Sequence, residues 1–144
     1  MADTPTRMGF EGRIYRGTAG STAATEMRSA TDVSSTITPK KASTTTRGAG
    51  TAPPMETERV VSIGESIEFT LLNKSGETHV DALRGAAAAA TPVSLRLKDY
   101  AAGKGFDGDV TLECKEGMPL GGEQTFVFTA TPTNEKGREP QPYV

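Results

Sequence analysis

Two segments of alternating hydropathy, joined by a glycine- and proline-rich corner, occupy residues 106–133 and constrain the fold more than any other feature of the chain. In the first, Val110, Leu112 and Cys114 share one side, while Asp109, Thr111, Glu113 and Lys115 share the other. In the second, Phe126, Phe128 and Ala130 alternate with Thr125, Val127, Thr129 and Thr131. Successive side chains of a strand point to opposite faces, so each segment predicts a strand buried on one side and wetter on the other. Gly117-Met118-Pro119-Leu120-Gly121-Gly122 supplies the turn chemistry between them. The pair reads as an antiparallel hairpin, which leaves little room for a catalytic scaffold.

The same period recurs upstream. Ile67, Phe69 and Leu71 alternate with Glu68 and Thr70, and Val93, Leu95 and Leu97 alternate with Ser94, Arg96 and Lys98. Residues 10–16 fit a short first strand around Ile14, broken by the Gly17–Ser21 run. Residues 26–38 suit one or two strands anchored by Val33 and Ile37, with Pro39 as the stop. One helix is predicted from Glu77 to Ala90, because Val80, Leu83 and Ala87 fall on one face. Thr78 and Asp81 have capping-box-like spacing, and Pro92 ends the helix. Strands, one helix, then strands predict a mainly β domain, an antiparallel sandwich or open barrel with one flanking helix.

A chain of 144 residues fits one domain over 1–144. Residues 39–58 read as a long loop without apolar periodicity, either disordered or ordered by something outside the monomer. Residues 134–144, with two prolines, read as an extended tail. The net charge of −2 has both signs spread along the chain, which argues against tight nucleic-acid binding. The N-terminal MADTPTRMGFEG lacks the apolar segment of a signal peptide, and no apolar run reaches membrane-span length. The expectation is a soluble chain made in a cytoplasm.

The motifs that carry chemistry fail on context. Gly103–Gly108 matches G-x-G-x-x-G, but it runs into a predicted strand rather than a helix N-terminus, so no nucleotide is expected there. Cys114 is the only cysteine and falls on an apolar strand face, which predicts a small core hydrophobe. His79 is the only histidine and reads as a solvated residue of the first helical turn. With one of each, a zinc site of the usual type cannot form within the chain. Asp107, Asp109 and Glu113 lie on a predicted strand, not in a calcium-binding loop. No catalytic, cofactor or metal site is expected, and the chain does not read as an enzyme.

Four segments together resemble the bacteriophage major tail protein family, the subunits of tail tubes. They are Glu26–Ile37, Thr45–Gly50 leading into Ser66–Leu72, the helix ending at Pro92 with VSLRL after it, and Gly105–Thr133. The last holds a GFDGDVTL strand, a Met-Pro-Leu-Gly-Gly corner and a TFVFTATPT strand. The chain departs from the family after its TTRG-like segment, where Thr51-Ala52-Pro53-Pro54 stands in place of an aromatic.

The resemblance implies a β-sandwich or open barrel with a flanking helix, copies of which form hexameric rings stacked into a channel for genome DNA. It implies that the chain itself is the main partner, joined by tape-measure, tail-tip and tail-terminator proteins, with DNA only in transit and no membrane. The location implied is the virion tail. Within that frame Lys40, Lys41, Arg47 and Met55 are candidates for an assembly loop. Glu68, Thr70, Asp109, Thr111 and Glu113 are candidates for a lumen lining that repels phosphates. The competing expectation is a monomeric β-sandwich binding module, such as a virion decoration or carbohydrate-recognition domain.

Overall fold

A computed structural model describes residues 5–46, 53–76 and 78–144. A 3-10 turn at Gly9–Glu11 precedes β1 (Arg13–Thr18) and β2 (Thr25–Glu26). Then come β3 (Ala30–Ser43), β4 (Glu58–Leu72), α1 (His79–Ala89), β5 (Val93–Lys98), β6 (Asp107–Gly117) and β7 (Thr125–Thr133). The strands form one antiparallel sheet in the order β2-β1-β5-β6-β7-β4-β3.

The sheet curls, and its hydrogen bonds show why. The Met27 N–H donates to Ile14 O (2.9 Å), and the Leu72 N–H donates to Ser29 O (3.4 Å). Residues 27–29 therefore bridge β1 and β4, although three strands separate them in the sheet. In a flat sheet those strands would stand roughly 19 Å apart, while two extended residues reach only about 7 Å. The strands must wrap into an open barrel, with the apolar face inside.

That inner face is the core. Ile67, Phe69, Leu71, Val110, Leu112, Phe126 and Phe128 are all buried there, with Val80 and Leu83 of α1 in the same cluster. The register explains the match: Phe69 pairs with Phe128 across β4 and β7, and Cys114 pairs with Phe128 across β6 and β7. The Phe69 and Phe128 rings stack with centroids 5.3 Å apart. Cys114 is a half-buried neighbour of this cluster, and burial, helped by Glu116, raises its thiol above the ordinary value. The Arg84 guanidinium lies 4.7 Å over the Phe126 ring and pairs with Glu116 at 2.6 Å, tying α1 to the sheet.

Several expectations need correction. The first strand begins at Arg13 and runs through Gly17, where the chain loop packs so closely that a Cβ would lie 2.9 Å from Ala23 Cα. Pro39 does not end β3; it pairs with Ile63 inside a fourteen-residue strand. β3 is an edge strand, where a missing N–H is tolerated. The region expected as a loop over 39–58 is therefore strand at both ends, with β3 running to Ser43 and β4 starting at Glu58. The tail is docked rather than free: Gln141 bridges to Asp107, and the Val144 and Gly105 backbones exchange two hydrogen bonds.

The helix ends also differ from expectation. Thr78 makes no side-chain capping bond, and its hydroxyl instead accepts from Arg16 Nη2 at 3.4 Å. His79 is not a free surface residue either: its Nδ1 accepts from Arg16 Nε at 2.9 Å. At the other end Ala90 adopts φ 56°, the left-handed conformation usually filled by glycine.

Two stability outcomes follow. Phe128→Ala is expected to cost about 3–5 kcal/mol in chemical denaturation, as for other buried aromatics. Ala90→Gly is expected to stabilise by about 0.5–1 kcal/mol, because a Cβ strains that backbone region. A thermal melt that drops for the glycine variant contradicts the second reading.

Candidate assembly surfaces

From Ile67 to Leu72, β4 is flanked by β7 on one side and β3 on the other. From Glu58 to Ser66 it is paired with β3 alone. The distal halves of β3 and β4 thus form a two-stranded ribbon with two free edges, an arm leaving the barrel. An isolated ribbon of this kind is only marginally stable in water. Its far end is held by threonines: Thr44 N–H donates to Thr57 O (2.9 Å), and Thr57 N–H donates to Thr45 Oγ1 (2.9 Å).

The arm is apolar where a free monomer would make it polar. Ile37, Val61 and Ile63 are 52%, 63% and 58% exposed. Pairing of Ile37 with Glu65 and of Pro39 with Ile63 places Ile37, Pro39 and Ile63 on the face continuous with the core. Lys40 and Lys41 lie on this arm, within β3 and exposed, rather than in a loop. Met55, 84% exposed, stands in the connection beyond it. Arg47 lies outside the described residues.

The opposite face of the sheet is polar and divides into two parts. In the open part Glu68 pairs with Thr129, which pairs in turn with Glu113, so two carboxylates flank a threonine across three strands. Thr70 and Thr111 are half-buried on the same face, and exposed Lys115 joins them. The other part is covered. Asp109 is 0% exposed, so it cannot line an open surface. Its carboxylate accepts from Arg138 Nη2 (3.0 Å) and from the Gly20 backbone (2.9 Å). Arg138 also donates to Asp107 (2.8 Å) and to the Ser94 hydroxyl (2.8 Å). Burial alone pulls the Arg138 guanidinium down, but the hydrogen bonds and charges of the two aspartates outweigh it and hold it above its ordinary value. Sequence alternation put Asp109 on the polar face correctly; it could not show that the 19–24 loop and the 134–138 turn fold over that end.

No protein-family model matches the chain, and no curated protein matches it in sequence. Solved structures do. The chain superposes on a chain from the tail of an empty GTA particle, obtained by helical refinement with C6 symmetry, with a TM-score of 0.74 at 11% identity over 95% of this chain and 98% of that one. It superposes on the SPP1 tail tube, determined by solid-state NMR and cryo-EM, with a TM-score of 0.66 at 10% identity over 95% of this chain and 80% of that one. The chain has the tail-tube fold.

At these identities the likeness is one of architecture, so it carries the open antiparallel barrel and its helix but no individual side chain. Within the tail-tube fold, the arm and the open polar face are two extended surfaces that this chain leaves largely exposed among the described residues. The Arg138 cluster, by contrast, belongs to the fold itself. Arg138→Met is expected to cost on the order of 3 kcal/mol, because it strands the buried Asp109 charge. Adding Asp109→Asn is expected to recover part of that loss. Thermal denaturation of the single and double variants checks this; equal melting temperatures for parent and Arg138→Met refute it.

Proposed function

We propose that this chain is the structural subunit of a viral tail tube, assembling into hexameric rings that stack around a channel for genome DNA. The observation that carries the reading is the near-complete superposition on a chain from a C6-symmetric tail. The exposed apolar arm supports it physically. A two-stranded ribbon carrying Ile37, Val61 and Ile63 in water is a poor monomer surface and a good interface. The arm is the assembly element, with Lys40, Lys41 and Met55 as its contact residues.

The open polar face is the lumen lining in this reading, through Glu68, Thr70, Thr111 and Glu113. Glutamates flanking Thr129 repel phosphates and keep DNA mobile, whereas a basic lining would hold it. Lys115 offsets part of that charge. The tape-measure, tail-tip and terminator proteins are the further partners, and the virion tail is the location.

Negative-stain microscopy of the purified protein tests the proposal. Rings or tubes are expected at high concentration; a persistent monomer points instead to the binding-module reading. A reconstruction with Glu68 and Glu113 away from the channel removes the lining assignment. A second variant isolates the arm. Thr38 pairs with Gly64, so replacing residues 39–63 with Asn-Gly closes the hairpin as a two-residue turn. The expected product is folded, with an unchanged β-rich circular dichroism spectrum, and forms no tubes. If it polymerises as readily as the parent, the arm is not the assembly element.

A further inference from the structure

β4 loses its inner partner partway along, although neither strand ends there. Its ladder with β7 stops at Ile67 and Ala130, yet β7 runs on to Thr133 and β4 back to Glu58. The direction of the backbone groups shows why. The Asn73 N–H donates to Gln124 O (3.2 Å), while the Leu72 N–H points the other way, to Ser29 O. Backbone groups of successive strand residues alternate sides, so the odd residues of β4 and the even residues of β7 face each other. Two-residue steps from Asn73 and Gln124 lead through Ile67 and Ala130 to Glu65 and Pro132 as the next hydrogen-bonded pair. Pro132 has no N–H to give, and its ring stands where the amide hydrogen would point. On its other side Pro132 pairs with Val110, where no donor is asked of it, because the groups facing β6 belong to the odd residues of β7.

The tail repeats the pattern. The Gln141 N–H donates to Asp107 O (2.8 Å), and the Asp107 N–H donates to Gln141 O (2.9 Å). Thr133 pairs with Asp109, so Gln141 holds the place beside β6 two residues beyond Thr133, with residues 134–139 looped out between them. A Cβ on Gly108 would lie 3.0 Å from Pro140 Cα, in keeping with that placement. The backbone groups of Gln141 face β6, so those of Pro140 and Pro142 on either side of it face β4. In this register Pro140 stands opposite Ile63 and Pro142 opposite Val61. The structure leaves a cleft of about 570 Å³ there, with Val61, Ile63 and Glu65 on one side and Pro132, Pro140 and Pro142 on the other. Each inward-facing position of β4 from Val61 to Glu65 thus meets a proline.

We propose that Pro132, Pro140 and Pro142 are positioning residues that hold the arm apart from the barrel. Without them the tail would seat between β6 and β4 as a central strand, and the arm would become the edge of one wider sheet. A proline carbonyl can still accept, but each pair then keeps one bond of its two, and the rings hold the strands apart. The same residues tolerate their places because β7 and the tail are edges on this side. The wall is a property of one folded copy and goes beyond the tail-tube reading.

Hydrogen–deuterium exchange of the dilute full-length protein, resolved by residue with mass spectrometry, tests it. Pro132→Val, Pro140→Val and Pro142→Val are combined in one variant, since valine supplies the missing donor and is a good strand former. The amides of Val61, Ile63 and Glu65 are expected to exchange about tenfold slower or more than in the parent, the protection given by a ladder that is closed most of the time. The amides of Phe69 and Phe128 report whether the barrel is intact. A folded variant in which Val61, Ile63 and Glu65 exchange at the parent's rate overturns the proposal. So does a parent in which those amides are already as protected as that of Phe69. Pro140→Val with Pro142→Val, both in the tail, keeps the test decisive if position 132 does not accept valine. Slower exchange at Val61 and Ile63 in that protein supports the wall, and the parent's rate there overturns it.

Discussion

Everything in this molecule depends on hiding one face of a single sheet. A flat antiparallel sheet with one apolar side needs a second layer. Here the second layer is mostly the sheet itself. Residues 27–29 cross from β1 to β4 and hold the sheet curled, and α1 covers what the curl leaves open. The paired phenylalanines at 69 and 128 then meet the helix residues Val80 and Leu83 in one cluster. Loss of the crossing segment would expose apolar surface along both β1 and β4, so the short β2–β3 connection matters more to the barrel than its length suggests.

The sequence was legible wherever the core enforced a period of two. Residues 66–72, 93–98, 107–115 and 125–131 show that period, and the side predicted as apolar faces the core, although Ser94, Arg96 and Asp109 on the polar side of β5 and β6 are buried as well. The arm escaped because neither of its faces is covered in the monomer, so nothing selects alternation there. Its signals were weaker ones: the β-branched cluster Val60, Val61 and Ile63, and the threonines before Pro39. Pro39 read as a stop because edge position, which excuses it, is a property of the sheet and not of the strand. Asp109 escaped for a similar reason. Alternation assigns a residue to a face, but the segments that fold over that face come from positions 20 and 138, far away in the chain.

The Arg138 cluster shows how the chain closes the polar side where the barrel meets its last residues. One guanidinium reaches two aspartates and a serine, and the tail beyond it lies beside β6 like a short added strand. Arg96 is buried nearby and donates to the carbonyls of Gly105 and Val144 at 3.0 and 2.8 Å. These charges are satisfied by planar, multi-donor groups, which suits arginine better than lysine. They fix the position of the tail, and so fix one wall beside the arm.

The irregularity of the arm has its own consequence. A bare two-edged ribbon is a template on which any passing strand could add backbone to backbone, the route by which β proteins turn into tangled fibres. Pro39 removes a donor from the outer strand, and the register slips between Lys40 and Lys41. An incoming strand cannot keep its hydrogen bonds in step past that point, and two adjacent ammonium groups tax its approach. The ribbon can therefore be recognised through its side chains while resisting capture through its backbone. That distinction separates a polymer that grows by adding whole folded units from one that grows by unravelling them.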